Sequence, residues 1–227
     1  MNYDAKATPI RPSPVWAVAV VSALGVLAQM GCQPTGYLLY LFTPAAQAKT
    51  VEAEFHGLEG RRVAVVIYAD PRVQYDYPFA RLTVATAVGS ELRNRLKGVT
   101  VIEPAKIIKY QDQNTYWESM EKTELAKALG ADYVLMISLM EYTTRELGSV
   151  DLLRGRITAQ CSVCQAGLAE RESCVWRGKD IVIVYPPDRP AGAAGDNDTA
   201  IRVSTERLFA EELTRKFYKH KVQPEGQ

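Results

Sequence analysis

The sequence predicts an α/β fold, a single three-layer sandwich in which a mixed sheet of about five strands carries helices on its faces and a further helix closes the domain. Three observations point there. From Arg62 to Glu146, apolar runs alternate with stretches of three- and four-residue apolar spacing, in the order strand, helix, strand, helix, strand. From Gly155 to Cys164 the period changes to two, and a second β-branched run follows a short Gly-containing connection, which reads as an antiparallel hairpin. From about Thr199 to Tyr218 the helical spacing returns.

"RVAVVIYAD", Arg62 to Asp70, is apolar at consecutive positions, the pattern of a strand buried on both faces. Asp76 is placed to cap the helix that follows, with Pro78 in its first turn. Phe79, Leu82, Ala85, Val88, Leu92 and Leu96 form its apolar stripe before Gly98. "VTVIEP" supplies a second strand that ends at Pro104. A second helix is read in "TYWESMEKTELAKALG", where Thr115 and Glu118 have the spacing of a capping box and Gly130 is the C-cap. "ADYVLMISLMEYTTRE" is a long third strand, apolar on both faces at its start and polar toward its end.

"GRITAQCSVC" places Ile157, Ala159, Cys161 and Val163 on one face and Thr158, Gln160, Ser162 and Cys164 on the other. "SCVWRGKDIVIVYPP" returns beside it and stops at Pro186 and Pro187, and "DRPAGAAGDNDT" is a loop. The last helix sets Ile201, Leu208, Phe209, Leu213 and Phe217 on one face.

Lys and Arg number 27 against 26 Asp and Glu, so no net field recruits nucleic acid or an anionic surface. The 12 tyrosines are accounted for by half-buried sheet positions. The glycines of "GLEGRRVAV" precede a strand, whereas a phosphate cradle needs them between strand and helix. Neither His56 nor His220 sits in a catalytic motif, and Asp70 and Asp76 are read as loop and capping residues before cation ligands.

"CSVC", Cys161 to Cys164, with Cys174 ten residues on, is the one cluster that suggests redox or zinc chemistry. It lies on a strand. There, residues three apart diverge, whereas a redox pair needs a helix start and a zinc knuckle a tight turn. The alternative is structural. In an oxidising compartment the hairpin sets Cys164 opposite Cys174, a disulfide if the Cα atoms lie about 5.5 Å apart, and leaves Cys161 as a small buried residue.

At the amino terminus a polar leader with Lys6 and Arg11 precedes "PVWAVAVVSALGVLAQMGC", Pro14 to Cys32, which carries no charge. This is the layout of an export signal. It resembles a bacterial lipoprotein signal, in which Gly or Ala precedes a Cys that is lipidated and becomes the first mature residue. Gly31 and Cys32 match; Gln29 stands where that pattern usually has Leu. The resemblance implies lipidation at Cys32 and two or more acyl chains, enough for lasting attachment at about 0.8 kcal/mol per buried CH2. An uncut membrane helix and cleavage after the "AQA" of Ala46 to Ala48 are the other readings. The chain thus divides into signal 1–31, tether 32–61, domain 62–222 and tail 223–227.

"RVAVVIYAD", "VTVIEPAKI", "ALGADYVLMISLMEY" and "VWRGKDIVIVYP", in this order, resemble a group of bacterial envelope proteins. The group includes the curli secretion lipoproteins, the lipoprotein activators of penicillin-binding proteins and the amino-terminal domain of the Tol-Pal translocation protein. The resemblance implies a compact α/β sandwich that recognises other envelope proteins and has no active site. The expectation is a lipid-anchored periplasmic binding or scaffold module without a cofactor. Its partners would be envelope proteins and a membrane, not nucleic acid, with self-association open. The alternatives are an exported redox or metal protein using Cys161, Cys164 and Cys174, and a single-pass anchored assembly subunit.

Overall fold

A computed structural model describes residues 49–192 and 197–222; the signal, Cys32, the first part of the tether and the tail lie outside the described residues. Lys49–Val222 forms one compact unit. A seven-stranded sheet is its middle layer, with Thr100–Val101, Arg62–Ala69, Tyr133–Arg145, Leu152–Gln165 and Cys174–Arg177 side by side in that order and Ile181–Tyr185 and Ala191–Gly192 also paired to Leu152–Gln165. The α/β sandwich read from the sequence is the fold observed.

Strand β2 (Arg62–Ala69) is parallel to β3 (Thr100–Val101) on one side and to β4 (Tyr133–Arg145) on the other. Strand β5 (Leu152–Gln165) runs antiparallel to β4. On its far side it meets β6 (Cys174–Arg177), β7 (Ile181–Tyr185) and β8 (Ala191–Gly192). The consecutive apolar residues of β2 serve both faces. Val63, Val65, Ile67 and Ala69 join the larger core, and Ala64 and Val66 join the smaller one.

The larger core is covered by α1 (Pro71–Asp76), α2 (Ala80–Arg95) and α6 (Asn197–Arg215), which contribute Val73, Val84, Val88, Leu92, Phe209 and Leu213. On the opposite face, α3 (Pro104–Gln113) and α4 (Lys122–Leu129) bring Ile107, Leu125 and Ala126 onto Trp117 and Val134. The short α5 (Glu170–Ser173) leads into β6. Strand β1 (Lys49–Val51) pairs with β9 (His220–Val222), Phe55 packs edge-on against Tyr133, and Leu58 is buried. Residues 49–61 of the predicted tether are therefore packed on the domain.

Four local readings are corrected. Asp70, not Asp76, is the helix cap: its carboxylate accepts from the Arg72 N–H at 2.9 Å, and Pro71 follows in the first turn. A separate short helix thus precedes α2, and Phe79 of the predicted stripe is exposed. Pro104 does not merely end β3 but starts α3, because its missing N–H costs nothing at a first helical position. Thr115 and Glu118 form no capping box. Residues Trp117–Ser119 close a tight 3-10 turn that buries Trp117, and α4 starts three residues later. The return strand is two strands, β6 and β7, interrupted at residues 178–180. Gly130 does cap α4, with φ 65°, a left-handed conformation that disfavours any residue with a Cβ.

Candidate functional site

Strand β2 ends opposite Leu139, but β4 and β5 continue past it as a paired ribbon, with β7 and β8 still on the far side of β5. The register shifts between Leu139 and Glu141, so β4 is bulged at Met140, whose side chain is left exposed. The ribbon, the α1–α2 turn and the first turns of α6 enclose a cleft of about 960 Å³.

Hydrogen bonds tie its walls together. The Tyr77 hydroxyl accepts from the Thr144 N–H at 3.1 Å and lies 3.3 Å from Thr143 Oγ1, joining the turn to the ribbon. Thr144 Oγ1 donates to Asp198 at 2.8 Å, joining the ribbon to α6. Beneath them Glu206, 6 % exposed, accepts from both Thr83 and Tyr142 at 2.5 Å. Burial and the adjacent Glu206 carboxylate push the Tyr142 phenol well above the ordinary range, so it remains a donor.

Charges of both signs line the cleft. Arg156 pairs with Glu141 at 3.3 Å; among the described residues Arg72 and Arg202 form no ion pair. Among the described residues, no His, Cys, Ser or Lys is part of the lining. The rim is apolar: Phe79, Met140 and Leu147 border the opening with exposed side chains. This arrangement can bind, through apolar insertion and guanidinium contacts.

The predicted site residues lie elsewhere. Cys164 and Cys174 face each other across β5 and β6, their sulfurs 2.10 Å apart and their Cα atoms 3.8 Å apart, closer than expected. Cys161 is buried in the larger core, where desolvation, with Asp180 adding to it, pushes its thiol up to about 12. Among the described residues no group of three or more His, Cys, Asp and Glu side chains is placed to hold a metal ion. Among them, too, no helix is long and apolar enough to cross a membrane. Cys32 lies outside the described residues.

The cleft escaped sequence reasoning, which treated Asp70 and Asp76 as loop and helix-capping residues. The available signal was "EYTTRE": a strand that turns polar on both faces has outrun its neighbours.

No protein-family model matches the sequence, and no curated protein matches it. Solved structures give distant likenesses to bacterial lipoproteins and related proteins. The PelC dodecamer from Paraburkholderia phytofirmans is 15 % identical with a TM-score of 0.44, the match covering 77 % of this chain and 99 % of that one. Lipoprotein GNA1162 from Neisseria meningitidis is 18 % identical with a TM-score of 0.41, covering 67 % and 98 %. A minor lipoprotein from Acinetobacter baumannii is 11 % identical with a TM-score of 0.34, covering 68 % and 90 %. These likenesses do not single out the curli-secretion, penicillin-binding-protein activator or Tol-Pal groups.

Proposed function

We propose that the chain is a lipid-anchored envelope lipoprotein, tethered at Cys32 and facing the periplasm, whose α/β domain is a non-catalytic protein-binding module. The observation that carries the binding role is the cleft: apolar at its rim and mixed in charge within. The bonded Cys164–Cys174 pair supports an oxidising compartment, and the uncharged run ending at Gly31 and Cys32 supports export and acylation. A redox or zinc role for Cys161, Cys164 and Cys174 has no such support. Cys161 is buried on the opposite parity of β5 from Cys164, and its thiol stays protonated at neutral pH.

The test is metabolic labelling with a palmitate analogue followed by detergent partitioning. Wild type is expected to take label and enter the detergent phase, and Cys32→Ala to lose both properties. Label retained by Cys32→Ala, or an unlabelled wild type, overturns the anchor.

A further inference from the structure

Helix α4 takes its N-terminal cap from a distant part of the chain. Glu121, in the cap position itself, makes no side-chain bond to the first turn. Instead the Glu170 carboxylate, 48 residues on, accepts from the Lys122 N–H at 3.0 Å. A negative charge there also meets the positive pole of the helix. Lys122 carries the contact further. Its ammonium donates to the carbonyls of Glu118 at 3.2 Å and Met120 at 3.3 Å, at the tight turn that buries Trp117. Trp117 and the α4 residues Leu125 and Ala126 all belong to the smaller core.

What positions Glu170 is the Cys164–Cys174 bond. Glu170 opens α5, which has four residues and is too short to be stable alone. Residues 167–172 around it are exposed. The disulfide joins the two ends of the loop that carries them, ten residues apart, and Cys164 opposite Cys174 is one of three paired positions between β5 and β6. Ser173, next to Cys174, donates from Oγ to the Glu170 carbonyl at 2.8 Å, so the bond and the capping residue are adjacent links.

We infer that the Cys164–Cys174 disulfide is a redox-sensitive latch on α4: bonded, it holds Glu170 at the helix start, and reduced by a dithiol, it lets Glu170 go. In that step a thiolate of the dithiol attacks Cys174 Sγ, the half-buried sulfur of the pair, whereas Cys164 is 1 % exposed. The S–S bond breaks, and the Cys164 sulfur leaves as a thiolate and takes up a proton. The second thiol of the reductant then displaces the Cys174 thiol. Two electrons pass to the pair, and the reductant ends as its own disulfide.

Reoxidation within the domain has one product. Cys161 is opposite Ile137 and buried in the larger core, whereas Cys164 is opposite Val134 of the smaller one, so the sheet separates the free thiol from the pair. The helices that wall the cleft, α1, α2 and α6, cover the larger core, so the latch acts on the α4 side of the sheet. Acylation of Cys32 plays no part in it.

Amide hydrogen exchange of the full-length protein, before and after treatment with dithiothreitol, tests the latch, with alkylation and mass spectrometry counting the thiols released. Reduction is expected to speed exchange at residues 122–125 by about fivefold, the usual effect of a lost cap, and to leave α2 unchanged. In the oxidised protein Glu170→Ala should give the same increase, and Glu170→Gln, which keeps an acceptor oxygen, a smaller one. Reduction of Glu170→Ala should add nothing at α4, because both changes remove one bond. Four results each overturn the inference: a disulfide that dithiothreitol leaves intact in the native protein, exchange at α4 that reduction does not move, an equal acceleration in α2, or a reduction effect that persists in Glu170→Ala.

Discussion

Glu206 shows how one residue sets the character of the cleft floor. A carboxylate on the buried side of a helix is costly unless its charge is met. Here two hydroxyls from different elements, Thr83 and Tyr142, converge on one oxygen. Both donors are neutral hydroxyls, and Arg202 of the cleft lies one turn away on the same helix. Tyr142→Phe removes one of these bonds while keeping the ring that packs edge-on against Tyr77. The expected loss is about 1.5–3 kcal/mol, the value of a hydrogen bond to a charged group, read as a lower urea midpoint with unchanged slope. A midpoint equal to wild type would mean that the phenol is not a donor to Glu206.

At the scale of elements, what places the cleft is the way α6 lies against β5. Their crossing is close at Gly155, where a Cβ would sit 1.8 Å from Thr205 Oγ1 and 3.1 Å from Ile201 Cγ2. Thr205 cannot swing away at no cost, since its hydroxyl is tied to the Ile201 carbonyl at 2.7 Å. Gly155→Ala must therefore push the helix off the strand, and with it Asp198 and Arg202 at the cleft. Overpacking of this kind costs about 1–3 kcal/mol or more, measurable by urea denaturation, and a neutral substitution would show that the crossing is looser than described. Nothing in "GRITAQC" announces this glycine: it opens a strand in sequence, and its demand for space comes from a helix some fifty residues later. The strands themselves were legible. A period of two on β5, continuous apolar residues on β2 and the left-handed glycine after α4 are local signatures that tertiary contacts reinforced. Helix α3 was not, although Ile107 and Tyr110 give it an apolar side, because Pro104 was read as the end of a strand and not as a first helical residue. The cap at Asp70 was missed for a different reason: α1 has one buried residue, Val73, too little for periodicity to register.

For the whole molecule, the sequence yielded the layers but not the site, because a sandwich core is written in consecutive apolar runs whereas the cleft is assembled from the ends of elements that meet only in three dimensions. The same folding that creates the cleft takes two ionisable groups of the larger core out of water, and this gives the molecule a pH dependence. The Cys161 thiol, ordinarily near 9, is pushed up to about 12 by burial, and the Tyr142 phenol is raised for the same first cause. Each raised group keeps its proton in the folded state at pH values where the unfolded chain has released it. The unfolded chain then binds fewer protons, and stability falls as pH rises. The contribution is complete below about pH 9 and is lost upward through the folded values. Urea midpoints measured from pH 7 to 11 are expected to be level in the lower half and to decline in the upper half. Cys161→Ala should remove the part of the decline that starts near 9, and Tyr142→Phe the part that starts near 10, each leaving the other in place. A profile that stays level to pH 11 in wild type would place both groups in contact with water, and the larger core as described here could not then be closed around β4 and β5.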